Sequence, residues 1–394
     1  MVLLNINANL APGVYVTEDT AGYIPTELSS FNTTYMVGSS ATGAENEPVQ
    51  VVSVEDFTNV FGTSASLNPV KLYFANNPNG VLFFVRITAV DDAAPTAAEF
   101  VAAIQNSFDE EMPQGFLIAP QAFSQLTVQG DRTSVATAME NLASKEGFDW
   151  MALVDSGPSG TIDTHAEAVT EGQLYTSERG HLAYFFPYVI DLLDNVVPPS
   201  AAIAGLAIRR YKKQGFQEPP AGAKFPLKGV KDVAVKVTKA HQEIGNPLGI
   251  NAIRKLPNKG VVCWGSRTRS SSEYYRFVTT RVIFNVLSGT ARGAFDSEVF
   301  SSVDGQGEYY TRIKETLNQI GFLMWRGKAL YGQTPKDAYE VKCDHELNQG
   351  ITLEAGAVIA AMWAAPSPVS ERIFIQLYRT TIGQVQVAAG SVEG

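Results

Sequence analysis

The strongest constraint on the fold is a series of short apolar segments, each closed by turn residues and separated from the next by a helix-period pattern. Residues 34–37, 81–88, 116–119, 150–155 and 183–189 are short and almost uniformly apolar. That pattern suits strands buried on both faces. Ser53 and Asp56 open a capping box ahead of Phe57 and Phe61, residues 70–75 read as a short helix, and 76–80 as a turn. Pro95-Thr96 with Glu99 caps another helix, whose Phe100, Ile104 and Phe108 recur every four residues. Residues 132–145 and 162–177 supply two more. Strands alternating with helices predict an α/β (α+β mixed) chain built on a parallel or mixed sheet covered on both faces.

A second unit spans residues 261–287. Val261-Val262-Cys263 is an apolar strand running into Trp264-Gly265, and Ser271-Ser272-Glu273 opens a helix with Phe277, Thr280, Phe284 and Leu287 on one face. Arg276 and Arg281 interrupt that face and are expected to point elsewhere. Residues 201–211 form a small-residue helix, 215–226 a Gly/Pro-rich loop, and 247–260 an irregular segment. Tyr309, Ile313, Leu317, Ile320 and Met324 mark a long amphipathic helix; residues 336–344, 358–364 and 372–379 read as strands. Both chain ends carry an isolated β-prone piece: Val14, Tyr15 and Val16 after Pro12-Gly13, and Val385, Gln386 and Val387 before a glycine-ended tail. A strand that short is not stable alone, so each must pair with a sheet, its own or another copy's.

At 394 residues the chain has room for two or three domains. Its net charge of −10 resolves into −19 over residues 1–200, +12 over 201–290 and −3 over 291–394. An acidic front and a basic middle suit charged partners, including each other on neighbouring copies. Cys263 and Cys343 are the only cysteines and read as reduced core thiols. The N-terminus shows no basic n-region or long apolar h-region, so no signal peptide is expected. The longest apolar run, 355–365, is shorter than the ~18 residues of a membrane helix.

Catalytic chemistry has little footing. Residues 38–43 fit the G-x-x-x-x-G skeleton of a phosphate loop, but Ala44 and Glu45 follow where Lys and Ser/Thr are needed. None of His165, His181, His241 and His345 has a partner at metal-ligand spacing, and Asp344-His345-Glu346 would point different ways on a strand. Asp155 ends a strand before Ser156-Gly157-Pro158, where an open α/β sheet binds ligands, yet no glycine fingerprint or nucleophile–base pair accompanies it. No catalytic set, metal or cofactor is expected.

The segments Pro12-Gly13-Val14-Tyr15-Val16, Phe186-Pro187-Tyr188, Val197-Pro198-Pro199-Ser200, Ala204-Gly205, Gly249-Ile250-Asn251-Ala252-Ile253, Trp264-Gly265-Ser266-Arg267-Thr268, Gly327-Lys328-Ala329-Leu330 and Cys343-Asp344 occur in a distinctive order. With residues 366–375, that order resembles the contractile tail sheath proteins of myovirus-type phages, R-type bacteriocins and phage-tail-like contractile injection systems. Two departures touch local shape: Ala201 stands where a glycine often follows Pro-Pro-Ser, and Glu371-Arg372 where the family usually runs alanine–glutamate–phenylalanine. The resemblance implies a two-domain sheath subunit with extended N- and C-terminal strand arms. Residues 1–25 would be one arm, 26–200 an outer α/β domain, 201–380 an inner tube-facing domain and 381–394 the other arm.

The resemblance further implies a non-enzymatic structural subunit that polymerises helically around an inner tube and contracts to drive the tube through a target envelope. Its partners would be copies of itself, the inner tube protein, and baseplate and tail-terminator or cap proteins, assembled in the bacterial cytoplasm. No direct nucleic-acid or membrane binding is expected. Val14, Tyr15, Val16, Val385, Gln386 and Val387 would be donated to neighbouring subunits. Arg267, Arg269, Arg276 and Arg281 are the candidates for a tube-facing or charge-complementary surface. Two other readings stay open: an α/β enzyme with a site near Asp155 or Asp344, and a nucleic-acid-binding structural protein using the basic 201–290 region, although that region lacks interleaved stacking aromatics.

Overall fold

A computed structural model of the chain describes residues 27–88, 95–354 and 356–374. The first stretch alternates strands and helices: β1 (Thr33–Gly38), β2 (Pro48–Val51), α1 (Val54–Phe61), α2 (Leu67–Asn76), β3 (Val81–Arg86), α3 (Ala97–Asn106), β4 (Gly115–Ile118), α4 (Pro120–Gln125), α5 (Gln129–Ser144), β5 (Met151–Asp155), α6 (His165–Gly172) and β6 (Leu182–Phe186). Then follow β7 (Val189–Asp191), β8 (Val196–Val197), α7 (Ser200–Gln214), β9 (Val230–Val233), α8 (Lys239–Gly245), β10 (Ile250–Leu256) and β11 (Gly260–Cys263). The last stretch holds α9 (Val278–Phe295), α10 (Glu308–Arg326), α11 (Pro335–Ala338), β12 (Tyr339–Lys342), α12 (Gly350–Glu354) and β13 (Ala361–Ala364).

Eight strands form one sheet in the order β11-β10-β6-β5-β4-β1-β3-β2, parallel except for the two edge strands. Every residue of β1, β4, β5 and β6 is buried, as the uniformly apolar segments require. Alternate side chains feed two layers. Met36, Phe84, Phe116, Leu153 and Phe185 pack with α1, α2, α7 and α9. Tyr35, Val37, Leu117, Val154 and Tyr184 pack with α3, α5 and α6. A third core, beyond the sheet, joins the apolar stripe of α10 to the α9 side chain Ile283 and to β12 and its surroundings.

Capping follows the local sequence. Ser53 Oγ accepts from Asp56 N at 3.0 Å, and Glu99 closes the box on Thr96. The helix expected over 162–177 is shorter, because Thr164 and Glu167 cap it at His165 and it stops at Gly172.

Several expectations are corrected. The division expected at residue 200 falls inside the eight-stranded sheet: the chain returns to it, and β10 pairs in parallel with β6 through Ile250↔Tyr184. The irregular segment expected over 247–260 contains the seven-residue strand β10; Pro247, Gly249, Pro257 and Gly260 bound that strand rather than interrupt it. The strand expected over 183–189 ends at Phe186, because Pro187 has no N–H to continue the ladder. The chain resumes as β7 in a separate three-stranded sheet, β8-β7-β9. Ser272 caps only the 3-10 turn Glu273–Tyr275, and α9 begins at Val278. Its buried stripe is therefore Val278, Val282 and Val286, with Phe284 and Leu287 half-buried. Of residues 336–344, the first turn is helical and the strand runs Tyr339–Lys342. Residues 372–374 are not in a strand, and 375–379 lie outside the described residues.

Candidate assembly interface

The places where an open α/β sheet would hold a small ligand are filled by the chain itself. Strand order reverses at β1, which puts the expected crevice at the carboxyl ends of β1 and β4. There Gln121 Oε1 accepts from Ser39 N at 2.5 Å and from Ser66 Oγ at 3.0 Å, and all three residues are buried. At the end of β5, Asp155 is fully buried and accepts from Ser200 N at 2.8 Å and Ser200 Oγ at 2.5 Å, so its carboxyl anchors the first turn of α7. Burial pushes its pKa up to about 7, partly opposed by the Ser200 hydrogen bonds. Beside it, Glu171 receives Arg132 Nε at 2.7 Å, Gly157 N at 2.8 Å and Tyr184 Oη at 2.9 Å. A Cβ on Gly157 would stand 2.7 Å from the Arg132 guanidinium carbon, so the turn after β5 admits only glycine without a shift. Among the described residues no three His, Cys, Asp or Glu side chains are grouped to hold a metal ion, and no helix is long and apolar enough to cross a membrane.

What the fold leaves open lies near α10. β12 and β13 pair antiparallel from Tyr339↔Ala364 to Lys342↔Ala361 and form a sheet of two strands only among the described residues. Tyr339 seats this sheet on α10: its hydroxyl donates to Asn318 O at 3.0 Å, and its ring fills the space a side chain on Gly321 would need. Trp363, on the other face, is exposed. A two-stranded sheet is marginal alone, and edges left unpaired among the described residues are templates for a further strand.

Both ends of the described chain leave from this neighbourhood. Leu28 packs between the α9 and α10 cores, and Ser29 N donates to Thr290 Oγ1 of α9 at 2.8 Å. At the other end, Ser367 N donates to Ala329 O at 2.9 Å, just beyond α10. The candidate arm residues Val14, Tyr15, Val16, Val385, Gln386 and Val387 lie outside the described residues.

The four candidate arginines share one neighbourhood but not one environment. Arg267 is clamped within its own subunit. Its Nε donates to Glu371 Oε1 at 3.0 Å, its Nη2 to Glu371 Oε2 at 2.5 Å and its Nη1 to Asn246 O at 3.0 Å. Asn251 of β10 bonds both the N–H and the C=O of Arg267, each at 2.7 Å, which fixes the segment after β11 to the sheet. Arg269 is half-buried and donates from Nε to Tyr175 O at 3.0 Å. Arg276 pairs with Glu273 at 2.6 Å near the surface.

Arg281, expected to point away from the core, is buried. α9 is buried on most of its sides, and within it Arg281 Nε meets Asn285 Oδ1 at 2.8 Å while the guanidinium lies over Tyr275 and Phe284. Burial draws its pKa below the usual arginine value. Glu371 is the residue that sequence reasoning missed as a site residue. In the sequence, Glu371-Arg372 stands out only as a departure from the resemblance.

No protein-family model matches the chain. The chain is 25% identical over 337 residues to a putative prophage major tail sheath protein of Pseudomonas aeruginosa, with 82% of each chain covered. It is 22% identical over 234 residues to the tail sheath protein of Vibrio phage KVP40, spanning 57% of this chain but only 33% of that protein. Among solved structures, the helical sheath of the anti-feeding prophage in its contracted state superposes with a TM-score of 0.72 at 23% identity, covering 94% of this chain and 99% of that one. The contracted sheath of the extracellular contractile injection system PVC gives the same TM-score at 22% identity, covering 94% and 98%. In sequence the chain is therefore similar to the tail sheath proteins of a prophage and a phage, and in fold to the subunits of contractile sheaths.

Proposed function

We propose that this chain is the structural subunit of a contractile sheath whose copies stack helically around an inner tube and whose contraction drives that tube through a target envelope. The observation that carries the reading is the β12–β13 sheet, which has two strands only among the described residues and lies near both ends of the described chain. In this mechanism residues 1–25 and 381–394 are arms. Val14 to Val16 of one copy and Val385 to Val387 of another add as strands to a neighbour's β12–β13 sheet, so that main-chain hydrogen bonds knit the lattice. The names of the relatives, one a prophage tail sheath and others contracted sheaths, support the same reading.

Contraction is then a rearrangement of near-rigid bodies about the arm linkages. The filled crevices and buried ion pair of the large sheet suit a body that moves without deforming. The unit from α9 to β13, against which Leu28 and Ser29 at the start of the described chain pack, is the tube-facing part, and the eight-stranded sheet with its helices is the outer part. Baseplate and terminator or cap proteins bind the ends of the sleeve, and assembly takes place in the bacterial cytoplasm.

The test is negative-stain electron microscopy of the purified chain, alone and co-expressed with neighbouring tail genes. Striated sleeves or stacked rings are expected, and deletion of residues 1–16 should abolish them while leaving a folded monomer. A chain that stays monomeric in both preparations overturns the reading.

A further inference from the structure

The loop between β11 and α9 builds a feature that the arm mechanism does not use. Residues 268–276 fold back on themselves: Thr268 N donates to Arg276 O at 2.9 Å, and Thr268 Oγ1 to Tyr275 O at 2.5 Å. Ser270 Oγ ties the loop to Glu178 O at 2.8 Å, and Ser177 N reaches Arg269 O at 3.3 Å. The loop and the segment before β6 thereby frame an open hollow of about 670 Å³, whose charged lining is Arg267, Arg269, Arg276 and Glu178.

The three guanidiniums differ in what they hold. Arg267 is committed to Glu371. Arg276 keeps Glu273, yet its side chain stays 40% exposed. Arg269 has a single side-chain bond, from Nε, so neither of its Nη groups has a partner among the described residues. A half-buried guanidinium without an anion is poorly solvated, and its planar fork is matched by a carboxylate.

We propose that this hollow receives a carboxylate-bearing segment of a second copy of the chain, an inference that rests on the assembly reading. Charge selects the partner: residues 1–200 carry 24 acidic against 5 basic residues, so every neighbouring copy presents an acidic surface. The exposed turn Asp109-Glu110-Glu111 is the densest acidic run in the described part of that half, and only Glu110 in it holds a cation, Lys145 at 3.0 Å. A contact between two unlike patches is heterologous and propagates into rings or helices rather than closing a dimer.

The experiment places a photo-crosslinking benzoylphenylalanine at Ser271, an exposed residue lining the hollow, in the otherwise unchanged full chain. Cross-links are mapped in assembled sleeves and, separately, in concentrated unassembled subunits. The expected product joins Ser271 to an acidic segment within residues 27–200 of a second copy. Cross-links only to another protein, or to no chain in either preparation, overturn the proposal. A missing sleeve in the wild type counts against the assembly reading alone. In parallel, Arg269→Glu is expected to reduce assembled particles at least ~10-fold, as loss of a charge-paired contact does, and Asp109→Arg with Glu111→Arg to restore them. Sleeves from Arg269→Glu as abundant as wild type overturn the proposal; should that variant fail to fold, the cross-link decides.

Discussion

Arg132 and Glu171 are the clearest case of two charges held for architecture. Both side chains are almost wholly buried, 2.7 Å apart, and the carboxylate also receives Gly157 N and Tyr184 Oη. Replacing one partner leaves the other charged without compensation in a low-dielectric site. Glu171→Gln should therefore destabilise the fold by ~3–5 kcal/mol, read as a lowered urea midpoint with unchanged slope. Asp155 gives the opposite kind of test. Its folded pKa, about 7, lies above the unfolded value of about 3.9, so the folded state binds the extra proton between those values. Its contribution to stability is complete below about pH 4 and is lost as pH rises through about 7. Asp155→Asn stays neutral throughout and should gain on the wild type as pH rises through that window, by up to ~4 kcal/mol. Parallel pH profiles of the two urea midpoints would refute this. Neither role could be read locally: Asp155 meets Ser200 across 45 positions, and Arg132 meets Glu171 across 39.

Among the elements, the α2–α7 contact is the tightest test of helix packing. At Gly205 an added Cβ would lie 2.7 Å from Tyr73 O and 2.9 Å from Asn76 Cβ, so the two helices approach through the missing side chain. Gly205→Val must push them apart; overpacking of this kind costs ~1–3 kcal/mol, and a lower thermal midpoint should report it. Strands whose burial is uniform, and helices with a capping box and a regular apolar stripe, were legible because both signals lie within a few residues. β10 was not, since Pro247, Gly249, Pro257 and Gly260 punctuate its surroundings and its reason to be a strand is β6, far away in sequence. The start of α9 was misplaced by several residues because Ser272 offers a genuine cap that serves only one 3-10 turn. Arg281 was unexpected inside because α9 is buried on polar positions too, Thr279, Thr280, Asn285 and Thr290 among them, which a single apolar stripe does not show.

Across the molecule, the Arg267–Glu371 clamp connects the trailing segment of the α10 unit to the eight-stranded sheet. Among residues 368–374, Glu371 makes the side-chain contacts to the body, to Arg267 and to Asn246. Glu371→Ala removes charge-assisted hydrogen bonds worth ~1.5–3 kcal/mol, so local opening should rise roughly ten- to a hundredfold. Tryptic cleavage after Arg372 should accelerate correspondingly, with the sheet still intact; an unchanged cleavage rate would show that the clamp holds nothing.

The alternation of buried strands and capped helices, the acidic front and basic middle, and an order of motifs that resembles sheath proteins all stand in the linear chain, because periodicity, caps and charge are carried by neighbouring residues. Tertiary structure alone decided which charges are free. Arg267 and Glu371, 104 positions apart, neutralise one another. Arg281 is swallowed by its own helix packing, while Arg269, one turn of chain from the clamp, is left facing open space. Pairing depends on what the fold brings within a few ångströms, and that is fixed by sheet order and helix rotation rather than by any local run of residues.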